Sequence, residues 1–500
     1  MVKMWTMIPW TLFCIVSMVY ANDAFERALE ERNYLIQKQL DTMLGSDIVL
    51  NDNEEKANKI IMALKEKEID HGFAKPQYHN FSKHFFDYKD DVKRSELFKI
   101  IQKMPKGAML HIHDTGVLGP DYVVSLTYLD NLFVCFEGNG IQFLFSLKTP
   151  TTLCSTEWEL MRDARYSSGN VEKFDAKLRK YFTIVIDNPH EVYTDVNAVW
   201  SYFQNYFIQT TGLFTYKPVW EKYFYDSLLA FRDDNIMYAE VRSVFPELYD
   251  LHGTVYDIMD TAASYKKVND QFMNDYPDFF GAKLIYSPLR QVSIETVKEY
   301  IANARKLKEM FPDFIAGFDL VGQEDLGSPT KEFLKELSEA GDDLNYFFHS
   351  GETNWYGTTS DENLVDAIVL NARRIGHGYA IIKHPLLIEE IKKRNIALEV
   401  NVISNAVLAL VADVRNHPLA SYLANNLPVV ISSDDPGVWE SEQLSHDFYV
   451  TFVGVASRRA DLRLLKKLAL NSLYYSEYSN KDEIVHEFEI RWTRFINSII

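Results

Sequence analysis

From about residue 100 the chain repeats one rhythm: a short, apolar, β-rich run that ends in polar or glycine residues, then a stretch with helical spacing. Eight such runs occur, at 107–113, 236–244, 281–287, 314–322, 344–352, 373–378, 397–405 and 428–436. Strand alternating with helix eight times predicts an α/β chain folded as a (β/α)8 TIM barrel, because eight parallel strands can close on themselves and leave no free edge. The alternative is an open doubly wound sheet. It would need a glycine-rich phosphate loop after its first strand, and the sequence has none.

Two segments stand outside the rhythm. Residues 22–100 form an N-terminal helical part, with Phe25, Leu29, Leu35, Leu40, Ile60, Ile61 and Leu64 at helical spacing. They carry too little apolar surface for a domain, so they should pack on the main body or on a second subunit. The barrel then occupies 101–500. Between its first two runs lie residues 114–235, far more than a crossover needs, so an inserted subdomain is expected near 126–185. An insertion after the first strand sits on the catalytic face of a barrel.

The first 21 residues (MVKMWTMIPWTLFCIVSMVYA) place Lys3 before an apolar stretch and end at small residues, the pattern of a secretory signal peptide. An uncleaved anchor is the alternative reading, although the stretch is short for a span. Of three cysteines, Cys14 leaves with the leader. In an oxidising compartment Cys135 and Cys154 invite one disulfide pinning the insertion; two unrelated buried thiols are the other possibility. Asn80-Phe81-Ser82 is the single sequon, a candidate glycan site. Asp plus Glu outnumber Lys plus Arg by 71 to 52, a formal charge of −19. A surface that acidic repels phosphate backbones and excludes nucleic acid as a partner. No other apolar run reaches the length of a membrane span.

The chemistry gathers at the ends of the runs. His111 and His113 stand at i and i+2 of the first strand, so both imidazoles point to one face. His349 and Glu352 end the fifth run, His377 ends the sixth, and Asp434 and Asp435 end the eighth. Barrel active sites assemble at these C-terminal ends. His111, His113, His349 and Asp434 make a three-nitrogen, one-oxygen set suited to Zn2+, with room for water. Taken singly, His349, His377 and Asp434 read equally well as satisfied polar groups. His384, His417 and His446 fall outside these motifs and read as capping or core residues.

The stretches 104–114 (MPKGAMLHIHD), 348–353 (FHSGET), 374–378 (RIGHG) and 431–436 (ISSDDP) resemble the motifs of the adenosine deaminases. With the leader, the helical N-terminus and the insertion, the chain is similar to the secreted adenosine deaminase growth factor family, the adenosine deaminase 2 type. That resemblance implies a secreted, zinc-dependent enzyme converting adenosine or 2′-deoxyadenosine to inosine and ammonia. It implies a homodimer built by the N-terminal helices, and a cell-surface receptor as a further partner. By the same resemblance His111, His113, His349 and Asp434 would hold the zinc that turns water into a nucleophile. His377 would orient that water and help deprotonate it. Glu352 would protonate purine N1, for which burial or a nearby negative charge must keep it protonated. Asp435 would accept or share a proton with N7, Gly351 would offer its N–H to N3, and Asp114 would reach the ribose 5′-hydroxyl. A planar ring also needs a walled slot, and Trp200 in the insertion is a candidate for that wall or for a ribose hydrogen bond. Gln204 and Gly322 fall where the family contacts substrate.

The chain departs from the family pattern at Ser350 (usually Ala), Gln204 (usually Glu), Leu289 (usually His) and Gln323 (usually His). None of these removes a metal ligand or the proton donor, but ribose affinity is affected. The competing functional reading is a receptor-binding growth factor with little or no deaminase activity. The cytidine-type zinc deaminases are excluded, since they require H-x-E with P-C-x-x-C.

Overall fold

The computed structural model describes residues 10–138, 140–341 and 343–500. All eight runs contribute strand: β1 Gly107–His113, β2 Ile236–Ser243, β3 Ala282–Tyr286, β4 Ile315–Phe318, β5 His349–Ser350, β6 Arg374–His377, β7 Ala397–Val400 and β8 Val429–Ile431. Strands β1 to β4 pair in parallel in that order, as do β5 to β8. Parallel bridges join the two sheets at both seams, Ile112 to Asp434 and Phe318 to Tyr346. At the first seam the His113 N–H donates to the Asp434 carbonyl at 3.0 Å and the Asp434 N–H to the His111 carbonyl at 3.1 Å. The barrel is therefore closed, and the residue pairing that closes it places His111, His113 and Asp434 side by side.

The strands are buried on both faces, as a helix-covered parallel sheet requires. Most of their residues are apolar and pack into one continuous core. At the foot of the barrel the buried Lys106 ammonium caps three carbonyls and pairs with Asp234 at 3.3 Å.

The N-terminal part behaves in two ways. Helix Asp52–Ala74 starts at Asn51, whose side chain accepts from the N–H groups of Asn53 and Glu54 while Glu54 reaches back to the Asn51 N–H. The same Glu54, buried, receives Lys466 at 3.0 Å and the Trp492 indole N–H at 2.8 Å, which ties this helix to the C-terminal helices Leu462–Tyr474 and Lys481–Ile499. Helix Trp10–Thr42 is different: Phe25, Leu29, Tyr34 and Leu35 are all exposed. The first nine residues of the leader lie outside the described residues. Among the described residues, no helix is long and apolar enough to cross a membrane.

The expected insertion is a small sheet, Leu132–Glu137 with Gly140–Phe145 and Glu159–Leu160, followed by helices Met161–Ser167 and Val171–Arg179. Cys135 and Cys154 are disulfide-bonded, which decides between the two cysteine readings. Asn80 is half-buried in a short 3-10 turn, Asn80–Ser82.

Candidate active site

Four ligand-type side chains meet at the C-terminal mouth of the barrel. His111 Nε2 lies 3.1 Å from His349 Nε2 and 3.3 Å from Asp434 Oδ1, and His113 Nε2 lies 3.0 Å from the same oxygen. A tetrahedral Zn2+ with bonds of about 2.0–2.1 Å separates its ligand atoms by about 3.3 Å, and these edges are of that size. His377, together with His111, His349 and Asp434 but without His113, forms a buried group whose ligand atoms all lie within 4.8 Å of one another. Its Nε2 is 4.0 Å from Asp434 Oδ2, on the other carboxylate oxygen, which places it beside the cage. A second acidic pair with an imidazole, His113 with Asp434 and Asp435, adjoins it.

The cage is held from behind. His111 Nδ1 is 2.8 Å from Glu399 Oε2 and His349 Nδ1 is 2.7 Å from Asp319 Oδ2. A carboxylate on the far nitrogen sets the tautomer, leaving the Nε2 lone pair for a metal. Both carboxylates converge on one guanidinium: Arg242 Nη2 donates to Glu399 at 2.7 Å and Nε to Asp319 at 2.8 Å. Arg374 continues the network to Glu399 and Glu240, each at 2.6 Å. Burial alone would raise the carboxyls of Glu399 and Asp319. Arg242 and Arg374 on the first, and His349 and Arg242 on the second, hold them well below the usual carboxylate range. Sequence reasoning missed all of these charges, though a signal exists: Glu240 and Arg242 are charged at i and i+2 in an otherwise apolar strand.

Glu352 is buried next to the cage, with its Oε1 3.6 Å from His377 Nδ1 and free of any hydrogen-bond partner. Burial, then the charges of Asp434 and Glu324, push its carboxyl well above the ordinary value. The same holds for Asp435, raised by burial and by Asp434 and Asp114, with its Oδ1 also unpartnered. Both carboxyls are thus shifted toward the neutral form. Burial pushes His377 well below its usual value, so that ring is neutral.

Backbone strain concentrates here. His377 (φ +59°) and Asp434 (φ +65°) are both left-handed, a conformation that bulky residues hold only when their surroundings enforce it. Gly351 (φ +74°) and the loop it opens leave Glu352 pointing inward; the Glu352 N–H donates to the Glu324 carboxylate, which also receives Asn363 at 2.8 Å and Arg290 at 3.2 Å. Gly116 permits a close approach: a Cβ there would sit 1.9 Å from Asp435 Oδ1. Gly116→Ala is expected to cost about 1–3 kcal/mol of stability and to slow turnover by displacing Asp435, measured by thermal unfolding alongside initial rates.

The other sequence-derived positions are placed as follows. Asp114 accepts from the Tyr265 hydroxyl at 2.6 Å, and burial raises its carboxyl. Helix Val196–Phe214 is tied to the β4 loop by a 2.6 Å bond from Gln323 to Asn197, and to the β1 loop by the Tyr206 hydroxyl on the Thr115 carbonyl at 2.8 Å. Trp200 is on the buried side of that helix, against Phe203. Gln204 is on its exposed side. Gly322 (φ +103°) faces open space, with the exposed Leu289 as its nearest neighbour.

Known proteins match this chain along its length. The family model described as adenosine deaminase matches residues 173–489, and that described as adenosine/AMP deaminase N-terminal matches 10–101. An adenosine deaminase of Lutzomyia longipalpis is 44% identical over 478 residues, covering 95% of this chain and 94% of that protein. Adenosine deaminase 2 of Homo sapiens is 40% identical over 498 residues, covering 97% of each. Among solved structures, an Arabidopsis N6-mAMP deaminase superposes with a TM-score of 0.56 at 17% identity, covering 78% of this chain and 99% of that one. A Burkholderia ambifaria amidohydrolase with bound Zn superposes with a TM-score of 0.53 at 18% identity, covering 81% and 94%. These two likenesses concern the barrel fold.

Proposed function

The chain belongs to the adenosine deaminase family of enzymes, and from that premise we propose that it hydrolyses adenosine, and 2′-deoxyadenosine, to inosine and ammonia with Zn2+ in the cage of His111, His113, His349 and Asp434. The observation that carries this reading is the pairing of that cage, with 3.0–3.3 Å edges, with a buried and protonated Glu352. Zinc in such a cage supplies the Lewis acidity that makes water nucleophilic at neutral pH.

The residues of the chain do the rest. Glu352 donates its proton to purine N1, which draws electron density from C6 and opens it to oxygen. Asp435, kept protonated, donates to N7 and fixes the ring plane. His377 lies where the attacking oxygen must pass. Trp200 covers the slot and keeps bulk water out, and Asp114 is placed for the ribose hydroxyl. The oxygen of water adds at C6, and of its two protons one restores Glu352 and the other goes to the C6 amino group, which leaves as ammonia when the C6–N bond breaks.

The extracellular setting is part of the same proposal. The leader, the Cys135–Cys154 bond and the Asn80 sequon support export, since disulfides persist in oxidising compartments. The apolar residues left exposed on helix Trp10–Thr42 support a homodimer, as an uncovered amphipathic face seeks a partner. Growth-factor activity through a receptor would be an addition to catalysis, because the complete acid and ligand set argues against a non-catalytic scaffold.

The test is direct. Purified protein should convert adenosine to inosine, lose that activity on dialysis against a chelator, and recover it with Zn2+. Full activity in protein shown by elemental analysis to be metal-free would reject the reading.

A further inference from the structure

Behind His377, away from the cage, lie two buried residues that the reaction described so far does not use. Asn405 is on helix Val402–Val407, and His417 precedes helix Leu419–Ala424. The backbone N–H of Leu419 is 3.0 Å from His417 Nδ1. A backbone N–H can only donate, so Nδ1 accepts. Burial pushes His417 down to about 3, so its ring is neutral. A neutral imidazole whose Nδ1 accepts carries its hydrogen on Nε2. That Nε2 lies 3.0 Å from Asn405 Oδ1, which accepts it. The amide oxygen turned to His417 directs the amide nitrogen to His377, where Nδ2 stands 3.1 Å from Nδ1. An amide nitrogen can only donate, so His377 Nδ1 must accept. A ring whose Nδ1 accepts carries its hydrogen on Nε2, here the atom that faces Asp434 and has no hydrogen-bond partner.

We propose that Asn405 and His417 are positioning residues that fix the tautomer of His377, so that this ring presents an N–H, and not a lone pair, to the oxygen that adds to purine C6. The role follows from one donor that has no choice, the Leu419 amide, passed through two residues to a third. It changes the part assigned to His377: the ring steadies and aims the attacking oxygen, and does not take its proton. The proposal rests on the deaminase reading for the identity of that oxygen, but the tautomer itself can be observed without turnover.

Asn405→Asp tests it at constant size. An aspartate can accept from His417 but cannot donate to His377, so the His377 hydrogen should move to Nδ1 and the Nε2 lone pair should turn to the site. Three measurements apply: ring nitrogen-15 NMR of metal-free, histidine-labelled protein, kcat and KM for adenosine, and zinc content. We expect hydrogen on Nε2 of His377 in the wild type and on Nδ1 in the variant. We also expect kcat lower by about 10²-fold or more, as wrong-tautomer and outer-partner changes produce, with zinc content equal and KM within about twofold. His417→Phe should lower kcat likewise, while His417→Gln, which keeps a donor for Asn405 Oδ1, should recover at least about tenfold of that loss. A folded N405D protein whose His377 keeps its hydrogen on Nε2, or whose kcat stays at the wild-type level, overturns the proposal. If N405D does not fold, equal kcat for H417F and H417Q overturns it. A wild type with hydrogen on Nε2 but no action on adenosine would leave the relay standing and remove the deaminase reading.

Discussion

Replacing Glu352 by glutamine is expected to lower kcat by about 10²–10⁴-fold, the range for losing a positioned general acid, with KM moved far less and zinc content unchanged. Glutamine keeps the shape and the polar end of the side chain but has no proton to transfer. The size of the effect follows from how completely the site is built around a neutral carboxyl. Glu352 is buried, and Asp434 and Glu324 oppose its ionisation more than Arg290 favours it, so it stays protonated at neutral pH. Its Oε1 is without a protein partner and is free to meet a substrate atom. The sign of the pH dependence follows. The group works as the protonated acid, so wild-type turnover is retained below its raised pKa and falls as pH climbs through it. The residual rate of E352Q should lack that alkaline limb. Turnover close to wild type in a zinc-loaded E352Q enzyme would show that the proton for N1 comes from elsewhere.

The sequence discloses the front of this site and conceals its back. His111, His113, His349, His377 and Asp434 were legible because each ends a β-rich run, and strand ends on one side of a barrel must meet. The barrel itself was legible from the same alternation, and the two cysteines from their placement in the one long gap. What stayed hidden depends on partners far apart in the chain: His111 and Glu399 are 288 residues apart, and Arg242 and Asp319 are 77 apart. A single charged residue within a strand looks like a surface residue until the barrel closes over it. His417 read as a capping or core residue; it is buried and accepts the Leu419 N–H. Its second bond, to Asn405, could not be foreseen, because which helix face lies behind His377 is set by tertiary packing. Gln204, read by likeness to a carboxylate position, is exposed on helix Val196–Phe214, whose Trp200, Phe203 and Tyr206 turn inward.

The largest effect on stability should come from a residue that touches neither substrate nor metal. Arg242→Met is expected to destabilise the fold by about 3–5 kcal/mol, the cost of leaving buried charges without their partner, and to weaken zinc binding by about 10–100-fold. Arg242 is fully buried and spends its donors on four groups: Glu399, Asp319 and the carbonyls of Leu110 and Phe347, the last two at 3.0 Å. Those carbonyls belong to the two halves of the barrel, and the carboxylates orient His111 and His349. Without the guanidinium, Asp319 keeps no arginine and Glu399 keeps only Arg374, so burial drives Asp319 above all toward taking up a proton. A protonated carboxyl no longer holds its histidine firmly with Nε2 turned to the metal. Methionine fills the volume, so the loss reports the charge and not a cavity. Arg242→Lys is the informative companion, because a point charge on a flexible stem cannot span both carboxylates. It should recover part of the stability and less of the zinc affinity. Chelator competition for zinc and calorimetric unfolding of the metal-free protein separate the two effects, and zinc affinity unchanged in R242M would mean that the cage is set by its own strands and not by the charges behind it.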